Sequence, residues 1–206
     1  MRNVNANRRS SGSAASLQSG LKKVNAMIDW GRRLGYTQAA LNLEQWRDAK
    51  GDRVMPASSF SSEQFLRNHL RNKHRPRFIE GARKRLQNGM LAPGKKVEMD
   101  WTDSVNAPLN SDLWFALGGF TVHSHVTVTV APAGGNAATL RFVSWQTDIS
   151  DTYNWDAGKA TFIPGIGRVT DDEMLALEKA GYGKAFRITS EKATISDAPI
   201  TGDETL

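Results

Sequence analysis

The segment Asp148-Ile-Ser-Asp-Thr-Tyr-Asn-Trp-Asp156 gathers carboxylates, an amide, a phenol and an indole directly after an apolar, strand-like stretch. A buried strand would not carry Asp148, Asp151 and Asp156, and a solvated loop would not ordinarily hold Tyr153 and Trp155. The mixture suits a lip where a cation or a phosphoryl group meets an apolar floor. The competing reading is a wide turn whose aromatics pin it to the core while its acids stay solvated. His123 and His125 lie two apart in an alternating pattern, so they share a strand face and offer two ligands to a transition metal; an ordinary polar sheet face is the alternative. His69 and His74 sit among arginines and read as surface residues. The chain has no cysteine and no thiolate chemistry. It carries no glycine-rich phosphate loop, nucleophile elbow or zincin helix, and Gly165-Ile-Gly167 is too short for a dinucleotide fingerprint.

These residues need elements to position them. Leu21, Val24, Met27 and Ile28 recur at helical spacing. A second helix is expected from a Thr37 cap through Ala40, Leu41, Leu43 and Trp46, ending near Lys50-Gly51. Ser61 with Gln64 forms a capping-box pattern before Phe65, Leu66, His69 and Leu70. Pro76 suits a first turn, and Gly89 stops the helix that carries Phe78, Ile79, Ala82 and Leu86. After Pro93-Gly94 the period changes. Lys95 to Trp101 reads as an edge strand, Phe120 to Val130 alternates cleanly, Pro132 to Asn136 turns, and Leu140 to Trp145 returns. Thr170-Asp-Asp-Glu173 is a second capping box, opening a helix that Gly181 stops, and Ala185 to Ile195 reads as a last strand. The expectation is an α+β fold: a disordered leader over 1–20, a helical region over 21–92, an antiparallel, open barrel-like sheet over 93–197 and a frayed tail over 198–206.

The 206 residues carry a net charge of +6, unevenly placed. Between Leu66 and Leu86 lie Arg67, Arg71, Lys73, Arg75, Arg77, Arg83, Lys84 and Arg85, with Glu80 as the only acid. Such a run serves nucleic acid, anionic lipid or an acidic partner chain, or is a solvated helix face. No aromatic alternates with these bases and no reader motif occurs, so nucleic-acid binding is a minority expectation. No apolar run reaches membrane-spanning length, and no signal-type apolar core follows Met1, so synthesis in a cytoplasm with export by another route is expected.

Ala116-Leu-Gly-Gly-Phe-Thr-Val-His-Ser-His-Val-Thr-Val-Thr-Val130, then a hairpin, then Asp151-Thr-Tyr-Asn-Trp-Asp156, a short helix and a final strand resemble the catalytic domain of colicin M and related bacteriocins. Ala39 to Trp46, Gly51-Asp-Arg53 and Leu86 to Gly89 are similar to that family's helical region, so the resemblance spans about Thr37 to Ile195. It implies hydrolysis of lipid II between polyprenol and pyrophosphate, with a divalent cation, commonly magnesium. It further implies an interbacterial toxin working in a target cell's periplasm; export or secretion-system delivery, a monomeric state and an immunity protein as partner are expected alongside. Asp151 would be the catalytic acid or base and a cation ligand beside Asp148, and Tyr153 would position substrate or water. The family's second aspartate is Asn154 here, which cannot take up a proton at neutral pH. Its His-Arg pair is replaced by Ala157-Gly-Lys-Ala-Thr161, leaving Asp156 and Lys159 as replacements and His123 or His125 as sources of an imidazole. Arg83, Lys84 and Trp155 would contact substrate at an anionic membrane surface. A catalytically inactive binding or structural component on the same scaffold is the alternative.

Overall fold

The computed structural model describes residues 5–132 and 138–206, with side chains from residue 14 onward. Its helices are α1 (Asn5–Leu34), α2 (Thr37–Arg47), α3 (Gln64–His69), α4 (Arg75–Gln87), α5 (Asp112–Ala116), α6 (Asp171–Lys179) and α7 (Ala198–Thr201). A π-helical turn, Leu70–His74, joins α3 to α4. The strands are β1 (Arg53–Met55), β2 (Val97–Asn106), β3 (Gly119–Pro132), β4 (Ala138–Tyr153), β5 (Ala160–Ile163), β6 (Gly167–Thr170), β7 (Phe186–Ser190), β8 (Ala193–Thr194) and β9 (Glu204–Thr205). The fold class is α+β, as expected. The main sheet has the order β1-β7-β4-β3-β2, with β8 and β9 also pairing β4, and it is open rather than a closed barrel. Two compact units interleave along the chain: residues 1–53, 109–118 and 152–188 form one, and 54–108, 119–151 and 189–206 form the other.

The first unit packs α1, α2, α5 and α6 with the β5–β6 hairpin. The segment expected to be a disordered leader is instead helical from Asn5, while residues 1–4 lie outside the described residues. Gly20 explains part of this, because a Cβ there would sit 3.2 Å from Leu177 of α6 and the bare backbone allows close packing. Lys23 adds an ion pair to Glu173 at 3.0 Å. Thr37 does not cap α2. The exposed amides of that helix are met from α5, where the two Asp112 carboxylate oxygens accept from Gln38 N and Ala39 N, both at 2.9 Å. Trp46 is fully buried. Its indole donates to Glu178 Oε2 at 3.2 Å, and Gly183 lies so close that a Cβ would fall 2.4 Å from the ring. The Thr170–Glu173 capping box is present as expected, with Glu173 N donating to Thr170 Oγ1 and Thr170 N to Glu173 Oε2.

The second unit sets α3, the π turn and α4 with the sheet formed by β2, β3 and β4. Every pairing among these three strands is antiparallel, and Thr102, His123 and Asp148 stand in one cross-strand row. The alternation of β3 is as expected, with Phe120, Val122, Ser124, Val126, Val128 and Val130 buried. A bulge at Val143 shifts the register beside Thr127 and Val128 and leaves that valine exposed. Trp145 is fully buried under an edge-on Phe78 ring, 5.1 Å between centroids. Ser61 does not cap α3, which begins after Glu63 with no side-chain cap. The tail is not frayed: β9 pairs β4, Ile200 is buried, and Arg75 donates to Ile200 O, Gly202 O and Glu204 Oε2. One guanidinium thus satisfies two carbonyls and a carboxylate of a segment too polar to predict its own order. The expected turn from Pro132 to Asn136 falls largely on residues 133–137, outside the described residues. Among the described residues no helix is long and apolar enough to cross a membrane.

Candidate functional site

The acidic-aromatic segment divides at its middle. Asp148 and Asp151 lie within β4, whose side chains alternate faces, so three residues of separation send them to opposite sides. Asp148 Oδ1 accepts from His125 Nε2 at 2.9 Å. This pair therefore does not meet around one magnesium ion, which needs several oxygen ligands in near-octahedral geometry. Asp151 and Tyr153, two apart, share a face of β4. Asp151 is half-buried.

Beyond β4 the chain of the first unit turns tightly. Lys159 Nζ donates to Asp156 Oδ2 at 2.6 Å and Asn154 Nδ2 to Oδ1 at 3.2 Å. These contacts, led by the Lys159 hydrogen bond, hold the Asp156 carboxyl below its ordinary range and raise the Lys159 ammonium. The backbone is tied to the start of α6, with Asp156 N donating to Asp171 Oδ2 at 2.9 Å and Asp171 N to Lys159 O at 3.0 Å. Tyr153 stacks on Phe186 at 5.2 Å, and Trp155 stands edge-on to both Tyr153 and Trp46. Burial, then the Asp171 charge, pushes the Tyr153 phenol well above its ordinary value. Trp155 Nε1 is buried without a hydrogen-bond partner.

Tyr153, Trp155, Lys159 and Asp171 edge a cavity of about 350 Å³ in the first unit. Met27, Trp30, Leu43, Phe115, Ile163 and Val169 give it an apolar wall, while Tyr153, Trp155, Lys159, Thr161 and Asp171 supply its polar groups. Trp30 stacks on Tyr36 at 5.0 Å with Phe115 edge-on to both, so the aromatic wall is preassembled. An apolar cavity with a few convergent polar groups is the usual form of a small-ligand site. The sequence marked Tyr153, Trp155 and Lys159, but not the wall. Its residues come from three separated stretches, and neither the β5–β6 hairpin nor α5 was expected.

The histidines of the second unit divide between the two faces of its sheet. On one face His125 donates or accepts through Nδ1 to Asp100 at 2.6 Å and through Nε2 to Asp148. His123 bonds Thr102 Oγ1 at 3.1 Å and Ser150 Oγ at 2.9 Å. All four ring nitrogens therefore have protein partners, and this pair is a hydrogen-bonded polar face rather than a ready ligand pair. His74, expected at the surface, is fully buried on the other side. There His74 Nδ1 meets Ser124 Oγ at 2.8 Å, and His69 Nε2 lies 3.6 Å from Asp103 Oδ2. Burial lowers both, His74 to about 4, with His69 pushing the same way and Asp103 opposing.

Of the basic run, Lys84 pairs Glu80 at 2.8 Å and Arg77 lies over the Trp101 ring at 5.2 Å; Arg83 is exposed on α4. No family model matches the chain, and no curated protein or solved structure does either.

Proposed function

We propose that this protein is an interbacterial toxin that recognises lipid II by its polyprenyl-pyrophosphate part and cleaves the bond between polyprenol and pyrophosphate, stopping peptidoglycan synthesis. The observation that carries this reading is the aromatic-walled cavity of about 350 Å³ with Tyr153, Trp155 and Lys159 among its lining residues. An isoprenoid segment matches the wall by desolvation alone, at about 25 cal/mol per Å² of apolar surface buried. A phosphate oxygen matches the Lys159 ammonium. Phe162 supports a membrane-surface substrate: it is 71% exposed on β5, between Thr161 and Ile163 of the cavity lining. In the hydrolysis, water oxygen bonds to phosphorus, the phosphorus–oxygen bond to the polyprenol breaks, and the alcohol leaves with a proton. The resemblance gives the catalytic acid or base role to Asp151, with Tyr153 positioning substrate or water.

The test is polyprenol release from lipid II in mixed micelles by the full chain, with magnesium added or chelated. Release is expected from the wild type, with a loss of a hundredfold or more in Asp151→Ala, about the contribution of a general acid–base group. No release under any cation condition, with lipid II still bound, would instead support the inactive binding component. The Lys159–Asp156 pairing and Asn154 favour that second reading.

A further inference from the structure

His69, His74 and Asp103 cluster in the second unit. His69 ends α3 and His74 ends the π turn, and the wider turn brings residues five apart together, with ring centroids 5.1 Å apart. Single π turns recur at functional sites. Asp103 of β2 completes a group whose ligand atoms all lie within 4.8 Å of one another.

Two observations single this group out. Nε2 of both histidines is buried with no hydrogen-bond partner, a costly state that native proteins rarely leave unexplained. The other nitrogen of His74 is also fixed. Trp145 Nε1 donates to both Ser124 Oγ and Thr147 Oγ1 at 3.2 Å, and Ser124 Oγ lies 3.2 Å from Thr147 Oγ1. The network is satisfied when Ser124 gives its proton to Thr147 and accepts from His74 Nδ1–H. That tautomer leaves the His74 Nε2 lone pair directed away from Ser124. A hydrogen-bond acceptor on the far ring nitrogen is how metal-binding histidines are oriented, and Ser124 Oγ stands in that place.

We propose that His69 Nε2, His74 Nε2 and the Asp103 carboxylate bind one divalent transition-metal ion of the zinc class, leaving a coordination position open on the solvent side. Two imidazoles and one carboxylate select such an ion over magnesium or calcium. Tetrahedral zinc spaces its ligand atoms about 3.4 Å apart, so small side-chain rotations close the site. Asp103 supplies the open side, its side chain being 42% exposed while that of His69 is 12% exposed. Burial lowers both imidazoles, which favours the uncharged form that ligates.

The experiment titrates zinc, then cobalt, into the chelator-stripped full chain, followed by calorimetry and by the visible absorption of the cobalt form. One ion per chain is expected, with nitrogen-ligand cobalt bands, a raised melting temperature and no displacement by excess magnesium. Asp103→Ala, at a half-exposed position, is expected to keep the fold by circular dichroism and weaken zinc binding at least tenfold. His69→Ala is expected to do the same and remove the cobalt bands. His125→Ala is expected to leave binding unchanged. Failure of the wild type to bind zinc, binding indifferent to Asp103→Ala in the folded variant, or binding lost in His125→Ala would overturn the site.

Discussion

Tyr153, half-buried against Phe186 and Trp155, carries the clearest consequence of desolvation on a single side chain. An unfolded chain ionises this phenol near pH 10, whereas desolvation keeps it protonated in the folded protein. Above pH 10 the unfolded state has therefore lost a proton that the folded state retains, and stability falls as pH rises. Below pH 10 the two states agree and the group contributes no pH dependence. In an absorbance titration, one of the three tyrosines is expected to ionise late, only as the protein unfolds, and Tyr153→Phe is expected to abolish that step. A Tyr153→Phe titration identical to that of the wild type would refute this. At this scale the sequence announced Tyr153, Trp155 and Lys159 through their company, because aromatics beside acids are unusual. It misplaced His74, because arginine neighbours in sequence become the outer side of a helix whose inner side is invisible to a linear reading. Asp148 failed as a magnesium ligand beside Asp151 because a strand's alternation separates residues three apart.

Elements were legible where their signals are local. The alternation of β3 and the capping box of α6 need only neighbouring residues, and both stand as read. Signals supplied from a distance were not. The cap of α2 comes from Asp112, 74 residues from Gln38, so Thr37 attracted the assignment by proximity alone. Asp112→Ala is expected to cost about 1–2 kcal/mol of stability, the value of an N-cap, read as a lower denaturant midpoint at unchanged slope. Thr37→Ala is expected to change it by much less, since its hydroxyl reaches only Gly35 O at 3.5 Å. Equal effects of the two substitutions would contradict the assignment. The π turn was equally hidden, because the apolar spacing through Phe65, Leu66 and Leu70 is shared by an uninterrupted helix.

At the scale of the whole molecule, the net charge of +6 looked like an external binding surface. Much of its basic run is engaged within the second unit: Arg75 holds the C-terminal segment, Arg67 meets Asp197 at 3.3 Å, and Arg85 donates to Glu98 O. Composition could not reveal this, since a charge count does not say which charges are already paired. What distinguishes the chain instead is the cavity of the first unit, assembled from stretches that the sequence order keeps apart. Its occupant is tested most directly by titrating an undecaprenyl pyrophosphate into the wild type, Lys159→Glu and the cavity-filling Thr161→Trp, with binding read by calorimetry. The wild type should bind the lipid pyrophosphate and ignore pyrophosphate alone. Lys159→Glu should bind ten- to a hundredfold more weakly, the value of one charge-assisted hydrogen bond, and Thr161→Trp should lose the apolar contribution. Equal affinity in all three proteins, or wild-type binding to free pyrophosphate as tight as to the lipid, would contradict the account.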